Sequence, residues 1–68
     1  MKTVDTRGLS CPQPVIMVTR EIVGGEKQFE VLVDSEASYE NVTRILDNKG
    51  YKFSTEEKDD HKIIKAEK

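Results

Sequence analysis

The sequence predicts an α/β (α+β) two-layer sandwich, in the order β-α-β-α-β-β, with two helices on one face of a mixed four-stranded sheet. Three observations predict it. Two stretches carry apolar residues at helical spacing, and each runs into glycine. Short β-permissive segments precede, separate and follow them. The chain has 68 residues, which suits one domain and leaves no room for linkers or repeats.

Residues 4–7 are short and β-permissive, and Gly8 closes them. Cys11-Pro12-Gln13-Pro14 follows and opens the first helix. Val15, Val18, Thr19 and Ile22 fall at i, i+3, i+4 and i+7, flanked by Ile16 and Val23, so this face is expected to lie on the sheet. Met17 lies off that stripe and is expected to be partly covered. The β-branched residues are mediocre helix formers, so packing must hold the segment. Gly24-Gly25 ends it.

In residues 28–34, Phe29, Val31 and Val33 are expected to face the helices, with Glu30 and Leu32 on the opposite side. Ser35 suits an N-cap, and Glu36 suits the positive end of the helix that follows. Tyr39, Val42, Ile45 and Leu46 form its buried stripe, and Gly50 ends it. Tyr51, Phe53 and Thr55 alternate with Lys52, Ser54 and Glu56, and both aromatics read as core. A turn at Lys58-Asp59-Asp60 leads to a last strand at 62–66. His61, beside that turn, reads as a solvated strand-start residue. Two crossover helices of this kind cover one sheet face and leave the other open.

Composition narrows the function. Hydrophobic and charged residues each make up 35% of the chain, and the net charge is −2. A strongly basic face for nucleic acid is not expected. No apolar run reaches the roughly 18 residues of a membrane span, and the first residues lack a signal-peptide core. The expected location is cytoplasmic. One cysteine and one histidine make neither an internal disulfide nor a multi-thiolate metal site, so no metal or cofactor is expected.

Attention falls on Cys11. Pro12 restricts Cys11 to extended backbone, the conformation of an N-cap, and itself suits the first helical position. Pro14 is tolerated in the first turn. A thiol at a helix entrance is favoured as the thiolate, although the two prolines remove donors and leave the N–H groups of Gln13 and Val15 as candidates. Arg7 would add positive charge if it turned toward the thiol; Asp5, two residues earlier, is its competing partner. A Cys-x-x-Cys redox motif would have a second thiol at position 14, where this chain has proline. A lone cysteine in a small domain is most often inert core, and the proline frame argues against that here. The thiol can still carry a persulfide, a sulfenic acid or a mixed disulfide.

The stretch Val4-Asp5-Thr6-Arg7-Gly8-Leu9-Ser10-Cys11-Pro12-Gln13-Pro14-Val15 resembles the signature of the TusA/SirA/YedF sulfur-carrier family. Val31-Leu32-Val33-Asp34 before a helix and Gly50-Tyr51 entering a strand extend the resemblance over the chain. Asn41-Val42-Thr43-Arg44 leans toward the YedF-like branch. The resemblance implies a single TusA-like domain over residues 1–68 that carries persulfide sulfur on Cys11. Pro12, Gln13, Pro14, Arg7, Asp5 and Gly8 are the supporting motif. It also implies a sulfur-donor protein, of cysteine desulfurase or rhodanese type, and a sulfur-acceptor protein. Such a chain is a sulfurtransferase-type carrier rather than a self-sufficient enzyme. Two other classes stay open on the sequence: a regulatory protein–protein interaction module with an incidental thiol, and, more weakly, a nucleic-acid binder.

Overall fold

A computed structural model describes residues 2–10 and 12–68. Its elements are β1 (Lys2–Asp5), α1 (Gln13–Val23), β2 (Gln28–Val33), α2 (Glu36–Asn48), β3 (Lys52–Glu57) and β4 (Lys62–Glu67). The expected element order holds. The strands lie side by side as β1-β2-β4-β3, with β1 parallel to β2 and the other pairs antiparallel. The sheet is therefore mixed and four-stranded, as expected.

Local chemistry sets the helix ends. Ser35 is extended, and its Oγ accepts from the Ser38 N–H at 3.1 Å, with Glu36 in the first turn. Both helices close with paired backbone bonds around a glycine. After α1, Glu26 N–H reaches the Glu21 carbonyl and Gly25 N–H reaches that of Ile22. After α2, Tyr51 N–H reaches Leu46 and Gly50 N–H reaches Asp47. Gly25 and Gly50 have φ of +85° and +82°, the left-handed conformation such an ending requires.

The core lies between the sheet and the two helices. Val4, Phe29, Val31, Val33, Ile64 and Ala66 come from the sheet; Val18, Val42 and Leu46 come from the helices. Strand register aligns them: Val4 lies beside Val31, Val31 beside Ile64, and Phe29 beside Ala66. Tyr51 is buried and meets the Phe29 ring edge-on at 5.6 Å. Tyr39, Ile45, Met17 and Ile22 are partly buried against this cluster.

Several expectations change. The first strand is Lys2–Asp5, not 4–7, and the last extends to Glu67. The buried side of α1 is centred on Pro14 and Val18, while Ile16 is 39% exposed and Val23 81%. Phe53 is 39% exposed rather than core. It lies on β3, an edge strand whose six residues are all exposed. His61 is not solvated: its side chain is 15% exposed, and Nδ1 lies 2.6 Å from the Asp60 carboxylate.

Candidate functional site

The site is built on the loop from β1 to α1, residues 6–10. Thr6 continues the alternation that turns Val4 inward, and it is fully buried. Its N–H and its Oγ1 both donate to the Leu32 carbonyl, at 3.0 and 2.6 Å. Leu9 N–H returns to the Thr6 carbonyl at 3.2 Å, closing a turn. Gly8 sits in that turn with φ +78°, where a side chain would be strained. Its N–H donates to Asp34 Oδ2 at 2.8 Å. The loop is thus tied to the end of β2 through both Leu32 and Asp34.

Asp5 and Arg7 form a second brace. Arg7 Nε and Nη2 donate to Asp5 Oδ1 and Oδ2, each at 3.0 Å. The Arg7 backbone N–H also reaches Oδ1 at 3.0 Å. Of the two arrangements open in the sequence, the structure shows Arg7 with its charge bound to Asp5. The guanidinium therefore clips the strand end, and its positive charge is largely compensated.

The helix entrance differs by one residue from expectation. Pro12 holds the cap position, with φ −100° and ψ 17°, so Gln13 and Pro14 are the first two helical residues. Gln13 N–H, expected as the nearest donor for the thiol, closes a turn on the Ser10 carbonyl at 2.9 Å. Ile16 N–H takes the Pro12 carbonyl at 3.1 Å. Prolines at both 12 and 14 lack N–H groups, which leaves a donor-poor first turn. Cys11 itself lies outside the described residues, and the cap position expected of it falls on Pro12.

Sequence reasoning marked Asp5, Arg7, Gly8 and the Cys-Pro-Gln-Pro run, and the described members of this set gather on one loop and helix start. It missed Thr6 and Asp34 as the residues that hold the loop. The inward alternation of Thr6 with Val4 was a usable signal. The pairing of Asp34 with Gly8, 26 positions away, had no local one.

Hydrogen bonds from the Arg7 side chain and backbone, with smaller attractions to Arg7 and His61, hold the Asp5 carboxyl below the usual carboxylate range. The Asp60 carboxyl is lowered likewise, first by its hydrogen bond to His61. A depressed folded-state pKa stabilises the fold above the unfolded value of about 3.9, and this is lost as pH falls through the folded value. In an NMR titration, the Asp5 carboxyl is expected to protonate below the usual carboxylate range. Arg7→Gln should bring it back up toward that range.

Asp34→Ala is expected to release Gly8. The hydrogen bond is charge-assisted but exposed, so about 1 kcal/mol of local closure is at stake. Hydrogen exchange at the Gly8 amide should then speed up several-fold, with core amides on β2 and β4 little changed.

From its first turn to its last, α1 turns a largely apolar surface outward. Val15, Ile16, Thr19, Arg20, Val23 and Gly24 line a shallow open groove there. Among the described residues, no group of three or more His, Cys, Asp or Glu side chains is arranged to hold a metal ion. Nor is any helix among them long and apolar enough to cross a membrane.

Comparison with known proteins gave two matches. A family model described as "Sulfurtransferase TusA" matches residues 2–68. The crystal structure of a SirA-like protein from Desulfitobacterium hafniense superposes with a TM-score of 0.88 at 31% sequence identity. That match covers 98% of this chain and 96% of the other. A search of curated protein sequences found no match.

Proposed function

The chain belongs to the TusA sulfurtransferase family, a family of sulfur carriers, and on that premise we propose that Cys11 carries sulfur as a persulfide between a donor and an acceptor protein. One observation carries the proposal: the only cysteine in the chain stands in Cys-Pro-Gln-Pro, between a braced loop and the first turn of α1. With a single thiol, loaded sulfur cannot be discharged into an internal disulfide.

The chemistry balances without an outside oxidant. The Cys11 thiolate attacks the terminal sulfur of a persulfide on the donor. The donor's S–S bond breaks, its cysteine leaves as a thiolate, and the new S–S bond makes Cys11 a persulfide. An acceptor thiolate repeats the exchange in the next step. The donor is of cysteine desulfurase or rhodanese type, and the setting is a reducing cytoplasm, where a lone thiol stays free. The Asn41-Val42-Thr43-Arg44 segment supports a lean toward the YedF-like branch in this reading.

The flanking structure supports a carrier more than a self-sufficient enzyme. Arg7 is bound to Asp5, and Gln13 N–H is bound to Ser10. Two candidate sources of thiolate stabilisation are therefore already engaged, and a bound partner supplies the remainder. The apolar outer face of α1 gives such a partner a place to rest.

The test is loading. The fully reduced protein is incubated with a cysteine desulfurase and cysteine, then quenched without reductant. Intact mass should rise by one sulfur atom, and the peptide holding Cys11 should carry it. Absence of an adduct with donors of both desulfurase and rhodanese type would overturn the proposal.

A further inference from the structure

Of the two edges of the sheet, β1 and β3, the β3 edge is self-complementary. β3 pairs with β4 on one side and has no strand on the other among the described residues. Its backbone donors and acceptors on that side are available for an added strand. Its register on β4 assigns its faces. Phe53 lies opposite the buried Ala66, and Thr55 opposite the buried Ile64, so Phe53, Thr55 and Glu57 lie on the helix side. Lys52, Ser54 and Glu56 lie on the open side.

A second copy joining this edge about a two-fold axis must run antiparallel and keep its helices on the same side. Side chains that meet across the junction then come from the same face, so even-numbered residues face even-numbered ones and odd face odd. That rule leaves four registers in which at least three residues of β3 overlap, and the one centred on Glu56 sets that carboxylate against its own copy. Centring on Thr55 places Lys52 against Lys58 and Phe53 against Glu57, pairing like charges and burying a carboxylate against a ring. Centring on Phe53 matches Lys52 with Ser54 and yields no ion pair. Centring on Ser54 sets Lys52 opposite Glu56 of the second copy, and the symmetry repeats that pair. It also sets Phe53 opposite Thr55 twice, an aromatic and β-branched pairing that sheets favour.

We propose that β3 is a homodimerisation edge, on which two copies of this chain join antiparallel about Ser54 into one eight-stranded sheet. The neighbouring helix fits the same symmetry. Glu40, Thr43, Arg44 and Asp47 of α2 line an open groove with Phe53. This groove meets its own copy across the axis, and it holds one cation between two anions. Phe53, 39% exposed on the single chain, is covered in the pair. The contact is small, so the dimer is weak and concentration-dependent, with a Kd on the order of 0.1–1 mM. It is independent of Cys11 and of the carrier reading.

The experiment is a charge exchange across the axis, read by sedimentation equilibrium and by concentration-dependent amide shifts. The unaltered chain should move toward twice the monomer mass as concentration rises, with the largest shifts at 52–56. Lys52→Glu and Glu56→Lys, taken separately, each place like charges in opposition and should stay monomeric. An equimolar mixture of these two variants restores both opposite-charge pairs and should dimerise again. A chain that stays monomeric to about 2 mM, about twice the upper end of the expected Kd, overturns the proposal. So does a dimer that survives both single variants, or a mixture that fails to recover association.

Discussion

Cys11→Ser is expected to abolish sulfur acceptance completely. A serine hydroxyl is far less acidic than a thiol and cannot take up sulfane sulfur by thiol exchange, which needs a thiolate at both ends of the transfer. The chain has no second cysteine to stand in. The variant should therefore show no added mass after incubation with any persulfide donor, and it should lose biological activity with the same severity. The interaction-module alternative predicts the opposite, since partner binding through α1 or the sheet would survive the exchange. Thermal unfolding followed in parallel separates loss of chemistry from loss of fold. Retained activity at full folding would favour the interaction module.

Phe29→Ala is expected to remove between a third and all of the stability of the domain. Phe29 is fully buried, lies between β1 and β4 in the sheet register, and meets Tyr51 edge-on. Tyr51 in turn donates its hydroxyl to the Glu26 carbonyl, fixing the loop after α1 to the start of β3. Losing a buried phenylalanine costs about 3–5 kcal/mol. A domain of this length has only about 3–10 kcal/mol in total, at 0.05–0.15 kcal/mol per residue. The midpoint of thermal unfolding by circular dichroism should fall by about 15–40 °C, or the cooperative transition should vanish. Phe53→Ala is the control. With its ring on an edge strand, it should cost no more than about 1 kcal/mol. Equal losses for the two variants would contradict the burial pattern.

That contrast shows what the sequence could and could not convey. Strand alternation placed Phe29, Val31 and Val33 on the inner face, and all three are buried. The same alternation marked Phe53 as core, because local pattern does not reveal strand order. The order β1-β2-β4-β3 puts β3 at the rim, where an inward-facing residue still meets solvent. The start of α2 and both helix C-termini were legible because serine capping and glycine termination are local chemistry, whereas the cap of α1 fell one residue later than expected, on Pro12. The rotation of α1 was not legible, because apolar residues occupy 15, 16, 17, 18, 22 and 23 and fit more than one stripe. Packing chose the one containing Pro14 and Val18. Around the site, the Asp5–Arg7 pairing was open to local reading, while the long-range partners of Thr6 and Asp34 were not. Thr6 and Asp34 act across 26 positions, and only the parallel pairing of β1 with β2 brings those segments together.

The carrier account is tested most directly by a two-stage label transfer. The protein is loaded from a desulfurase using cysteine with isotopically labelled sulfur, separated from the donor, and mixed with a persulfide-accepting protein. The prediction is one labelled sulfur per chain, located at Cys11, that leaves as the acceptor gains it and restores the free thiol. Label that never binds, that binds away from Cys11, or that stays on the chain in the presence of competent acceptors would contradict it.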